Sequence, residues 1–165
     1  MTAFADLPTL VLGPLAGRPD ADWHRAPGGK WSPVQIVEHL ALGLDLSSRR
    51  FEERRAKPAM RRRPRALWQL AGYVLLAKVG WWPPGRKAPE MTKPMERPDR
   101  AAVERKFRES VERFLKLDRE ILPARAADLY VKHPVLGDLT IPEWMRFHVK
   151  HAAHHRKQIL ERLAS

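Results

Sequence analysis

An all-α fold, a four-helix bundle, is what the sequence predicts. Three observations carry it: three long segments with apolar residues every three or four positions, clear capping signals at their starts, and no alternating run that competes as a strand. The first helix opens at Ser32-Pro33, with serine as N-cap, proline at the first helical position and Gln35 at the third. Val34, Ile36, Val37, Leu40, Leu44 and Phe51 are its apolar anchors. A short second helix spans 65–80, between the prolines that divide the middle of the chain. Asp99 caps the third, in which Val103, Phe107, Val111, Phe114, Leu117 and Ile121 recur at helical spacing. Thr140 caps the last, followed by Pro142 and Glu143, and the helix runs to Leu163. Residues 81–98 hold too many prolines for a helix and form a long crossover loop, a kind of loop that is often functional. The first thirty residues, rich in proline and glycine, read as irregular structure tied down by Trp23 and Trp31.

A length of 165 residues with 44% apolar composition suits one domain, 1–165, with a sizeable core. The absence of cysteine excludes disulfides, thiolate metal sites and cysteine nucleophiles. No basic stretch leads into an apolar run at the start, so no signal peptide is read, and the location expected is cytoplasmic. The apolar stretch 66–82 is 17 residues long and interrupted by Gln69 and Lys78, short of the roughly 20 apolar residues a membrane span needs.

The net charge is +12, and residues 49–65 alone hold nine Lys or Arg against Glu52 and Glu53. Such a run suits phosphate backbones or anionic lipid head groups, and equally a solvated helix end. It lacks interleaved aromatics, a glycine-rich phosphate loop and any nucleic-acid module, which favours the solvated reading. Six tryptophans and a short apolar second helix exceed what a small bundle readily buries. The assembly expected is therefore a symmetric homodimer, with Trp81 and Trp82 either at the interface or covering the end of their own bundle.

Four of the seven histidines lie in the last helix. On a helical wheel Trp144, His148, His151, His155 and Gln158 fall within about 80° of one another, flanked by the apolar Phe147 and Ile159. Arg162 continues the line at the end of the helix, where it is expected to reach solvent, and His154 turns towards the rim. Buried imidazoles are unfavourable unless their nitrogens find partners. Two histidines four apart on one helical face have the spacing of helical metal motifs. His39, on a mostly apolar face of the first helix, is the obvious third ligand. Each of these residues also has a plainer reading as a hydrogen-bonded core or surface histidine.

The segments WSPVQIVEHL and HPVLGDLTIPEWMRFHVKHAAHHRKQI resemble the DinB-like (DinB/YfiT) superfamily, in particular a branch with an HP-x-x-G-x-L-T…W signature before its terminal histidines. The resemblance implies a bundle in down-up-up-down order, commonly dimeric. It also implies a divalent ion (zinc, nickel, iron or manganese) on the histidine of the E-H-L segment and the first and last histidines of H-x-x-H-H. Those are His39, His151 and His155, the three residues reached from the wheel. Relatives include enzymes that use a low-molecular-weight thiol and others described as metal-dependent hydrolases. The arginine-rich run and the Trp81-Trp82-Pro83-Pro84 stretch inherit nothing from the resemblance.

Three neutral imidazoles leave a coordination position open, as catalytic sites do. The function expected is a metal-dependent enzyme acting on a small molecule, a thiol S-transferase or a hydrolase. A non-catalytic bundle, and a module binding nucleic acid or a membrane through its basic face, are the alternatives. Any thiol must come from a cosubstrate, and the basic run offers its carboxylates a place. Gln158 is placed to orient a ligating ring or a bound water, and His133 and His148 are the candidates for proton transfer.

Overall fold

The computed structural model describes residues 3–58, 61–83, 85, 87–121, 125 and 128–165. The helices are α1 (Leu7–Leu12), α2 (Asp20–His24), α3 (Pro33–Arg55), α4 (Leu67–Tyr73), α5 (Arg100–Glu120) and α6 (Ile141–Ala164). The four bundle helices are α3, α4, α5 and α6. α4 continues through a π-helical stretch, Val74–Val79, and stops at Gly80, whose φ of 80° lies in the left-handed region. No described helix is long and apolar enough to cross a membrane.

The capping chemistry is in place. Ser32 N donates to Gln35 Oε1 at 2.9 Å while Ser32 Oγ accepts from Gln35 N, closing the box that starts α3. Asp99 Oδ1 accepts from Ala102 N at 2.7 Å to start α5. α5 then buries Val103, Phe107, Val111, Phe114 and Leu117 against α3, which presents Val34, Val37, Leu40, Leu44 and Phe51. Ile121 falls one residue past the end of α5, as its C-cap.

Three features differ from the sequence reading. Residues 4–29 are a chain of short helical turns, and Leu7, Val11, Leu12 and Leu15 are buried in the common core. Prolines and glycines stop each turn early, so helical periodicity never runs long enough to be read. Trp23 does tie the arm down, buried with the Arg100 guanidinium 4.3 Å over its ring. Second, a β-hairpin precedes α6: Tyr130–His133 (β1) pairs antiparallel with Gly137–Thr140 (β2). Four-residue strands are too short to show alternation. Its turn explains the HP-x-x-G-x-L-T motif. His133 Nδ1 accepts from both Val135 N and Leu136 N at 3.1 Å, and Gly137 adopts φ 79°, where a side chain would meet Gln69. Third, Arg162 is buried, and its Nε donates to Trp31 O at 3.2 Å across the base of the bundle.

Much of the arginine run is engaged internally. Arg62 and Arg65 both pair with Glu143 in the first turn of α6, and Arg63 holds Asp138 of β2 through two side-chain bonds of 3.0 and 2.7 Å. Burial alone would raise the pKa of Asp138 and Glu143, but these arginines outweigh it and hold both carboxyls below their usual range. Glu143 Oε2 also accepts from Thr140 N, so one carboxylate joins the basic segment, the hairpin and the start of α6. Replacing Glu143 with alanine is expected to cost roughly 2 kcal/mol, because it opens the cap and takes the carboxylate from two part-buried guanidinium groups, which keep only backbone carbonyls. Urea unfolding checks this, with Glu120→Ala, at an exposed ion pair with Arg55, leaving the midpoint where it is.

Candidate metal centre

His39 projects from the second turn of α3, and His151 and His155 stand one turn apart on α6. Their Nε2 atoms converge: His39 to His151 is 3.3 Å and His155 to His151 is 3.0 Å. One nitrogen from each lies within 4.8 Å of the others, so the three could hold a metal ion. Ligands about 2.0–2.1 Å from one ion in tetrahedral directions stand about 3.3–3.4 Å apart, close to what is found.

The outer hydrogen bonds show what these nitrogens present to one another. His39 Nδ1 lies 2.8 Å from Thr92 O, and His155 Nδ1 lies 2.7 Å from Gln158 Oε1. A carbonyl oxygen accepts and cannot donate, so both Nδ1 atoms carry the proton. With the rings neutral, both Nε2 atoms direct lone pairs at the shared point. Burial keeps them neutral. It lowers the pKa of His39 and takes His155 down to about 3, with the neighbouring His39 adding to the shift on His155. His151 is likewise pushed well below its ordinary value by burial, then by His155 and His39. At most one of the facing lone pairs can accept a proton from His151, whereas a cation satisfies all three. The donor set therefore fits a divalent ion.

Aromatic rings hold the third ligand. Trp82 stacks on His151 with centroids 4.6 Å apart and Phe147 stacks on it at 5.4 Å, while Trp31 leans on His39 at 5.1 Å. All three ligand positions are buried, and His151 is the least enclosed of the three residues. Thr92 and Trp82 are the participants that sequence reasoning missed. Thr92 acts through its backbone, which leaves no side-chain signal, and Trp82 lies in the long crossover loop, where its expected places were a dimer interface or the end of the bundle. That loop is fastened to α3 in the turn just before His39, through Met95 N to Glu38 Oε2 and Gln35 Nε2 to Met95 O.

Gln158 bonds His155, as described, and its Nε2 reaches His154 Nε2 at 3.4 Å. His154 stacks on Trp82 outside the ligand group. His148 is buried elsewhere on α6, with Nε2 3.0 Å from Ser47 Oγ, and burial takes its pKa down to about 3. His133 belongs to the hairpin turn and packs on Phe147, whose ring also meets His151. Gln158→Ala is expected to weaken metal binding by roughly 10–100-fold, the usual effect of losing a ligand's outer partner. Titration against a competing chelator measures it, and unchanged affinity would remove Gln158 from the centre.

A bundle carrying three convergent neutral imidazoles is the class of protein that fold and site define together. The DinB superfamily model matches residues 3–159, and the chain belongs to that superfamily. Among solved structures it is similar to YfiT from Bacillus subtilis, described as a probable metal-dependent hydrolase with an unusual four-helix bundle topology. The TM-score is 0.62 at 18% sequence identity, covering 96% of this chain and 81% of that one, a likeness that establishes the fold alone. No curated protein sequence matches the chain.

Proposed function

We propose that the protein is a metal-dependent enzyme acting on a small molecule, with His39, His151 and His155 as ligands, and that it is a hydrolase. The observation that carries this reading is the pair of Nδ1 hydrogen bonds, to Thr92 O and Gln158 Oε1, that turn Nε2 lone pairs inward towards His151. A divalent ion held by three imidazoles with a position left open supplies Lewis-acid activation of a small nucleophile at neutral pH. The chain's own residues do the rest. Thr92 and Gln158 hold two ligand rings in one tautomer, and Trp82 and Phe147 clamp the third while shielding the centre from bulk water.

Hydrolysis is favoured over thiol transfer by the fate of the basic run. Arg62, Arg63 and Arg65, expected to receive a carboxylate-bearing thiol, are occupied by Glu143 and Asp138. The description of YfiT points the same way. His148 contributes little proton transfer in this reading, since a base with pKa about 3 is weak at neutral pH. His133 has its Nδ1 lone pair taken by Val135 N and Leu136 N, so neither histidine is assigned the proton transfer. Protein loaded in turn with zinc, nickel, iron or manganese is screened against ester and amide substrates, with and without added thiol. Metal-dependent turnover without thiol supports the hydrolase, and turnover only with thiol replaces it by the S-transferase.

A further inference from the structure

The helix formed by α4 and its π-helical continuation is apolar on both sides. Tyr73, Leu76 and Ala77 are buried against the bundle. Leu67, Leu70, Val74 and Leu75 recur at helical spacing on the outer side, together with Trp68 and Val79, and all six are exposed, Leu67 to 87%. Trp81, 52% exposed, continues the patch, while its neighbour Trp82 turns inward onto His151. A helix apolar all round is normally covered, and a continuous exposed patch of this kind marks an interaction surface.

Charge identifies what covers it. Residues 54–89 contain ten Lys or Arg and not one Asp or Glu. Arg62, Arg63 and Arg65 are neutralised from elsewhere in the chain, but Lys78 on this helix, and Lys57 and Lys87 in the segments that flank it in sequence, are exposed and have no ion-pair partner among the described residues. A second copy docked face to face would bring two carboxylate-free segments together. An anionic lipid surface supplies the missing negative charge. The form also suits an interface. Residues 67–79 span about 20 Å as a helix, too short to cross a bilayer but long enough to lie in its surface. Trp68 and Trp81 stand near its two ends with amphipathic rings of the kind that settle at head-group depth, and Lys78 can reach outward along its own alkyl chain.

We propose that the outer face of α4 and its π-helical continuation docks the protein on an anionic lipid bilayer. The test is co-sedimentation of the full chain with phosphatidylcholine vesicles, with or without about 30% phosphatidylglycerol to set a negative surface potential. Wild type should pellet with the anionic vesicles, stay in solution with the neutral ones, and be released by high salt. The double variant Leu70→Glu/Val74→Glu, at two exposed positions, should lower partitioning more than about tenfold with circular dichroism unchanged. Trp81→Ala should weaken it independently, which keeps the test decisive if the double variant misfolds. Equal recovery on both vesicle types, no recovery on either, or a double variant that folds and pellets like wild type would overturn the proposal. So would light scattering that shows a wild-type dimer split by the same substitutions, with no vesicle binding. DNA binding that survives in the double variant while vesicle binding is absent would also overturn it.

Discussion

Alanine at His39, His151 or His155 is expected to weaken metal binding by more than about a hundredfold, since losing only a ligand's outer partner already costs 10–100-fold. His154→Ala, on the same helix and beside a ligand, should leave metal content per chain close to wild type, because His154 lies outside the convergent group. Stability should follow occupancy. An ion at about a hundred times its Kd stabilises the folded state by roughly 2.7 kcal/mol. For a chain of this size that corresponds to a melting temperature higher by about 5–10 °C. The comparison is elemental analysis and thermal unfolding of five proteins after identical loading and without a histidine tag. Equal metal content across the five would end the metal assignment.

Acid sharpens the same test. Three exposed histidines would give up an ion as pH falls through about 6.5, where protons compete for the ring nitrogens. Here burial lowers the pKa of all three rings, to about 3 for His155, so in the folded protein the competing proton is itself disfavoured. Metal content followed against pH should therefore fall with a midpoint clearly below 6.5. A midpoint at the ordinary histidine value would mean that the rings are more hydrated than the fold places them.

The parts of this molecule legible in the sequence are those written in side chains at helical spacing. Ser32 and Gln35 announce the start of α3, and Val103, Phe107 and Phe114 announce the buried face of α5. The i,i+4 pair of His151 and His155 pointed to a shared site, and the distant His39 joined it because the capped helix turns that ring towards the core. What stayed illegible depends on the backbone or on partners far along the chain. The Thr92 carbonyl that sets the tautomer of His39 has no residue preference to read. The arginine run looked like a surface feature because Asp138 and Glu143, which receive it, come more than seventy residues later. Arg162 was expected in solvent because the wheel shows which way a side chain points but not that Trp31 closes over that end. The hairpin was missed because its order lies in a turn, built on His133 and Gly137, rather than in any periodicity.

His148 is expected to make the metal-free protein steeply sensitive to acid. Its ring is 3% exposed and its pKa in the fold is about 3, whereas in the unfolded chain it returns to about 6.5. Between those values the unfolded state binds a proton that the folded state refuses. Stability is therefore intact above about pH 6.5 and falls as pH drops below it, by about 1.4 kcal/mol per pH unit for one such group. At pH 5 the loss from this residue alone reaches about 2 kcal/mol, a large share of the 5–15 kcal/mol typical of a folded domain. His148→Leu removes the titrating group and strands no partner, because Ser47 Oγ still donates to Gly43 O at 2.6 Å. Urea unfolding of metal-free wild type and His148→Leu at pH 7.5, 6.0 and 5.0 should show the variant losing less stability at each acid step. His155 adds a slope of the same sign in both proteins, so the difference between them isolates His148. Parallel curves would show that His148 accepts its proton in the folded state, and would restore it as a candidate for proton transfer near neutrality.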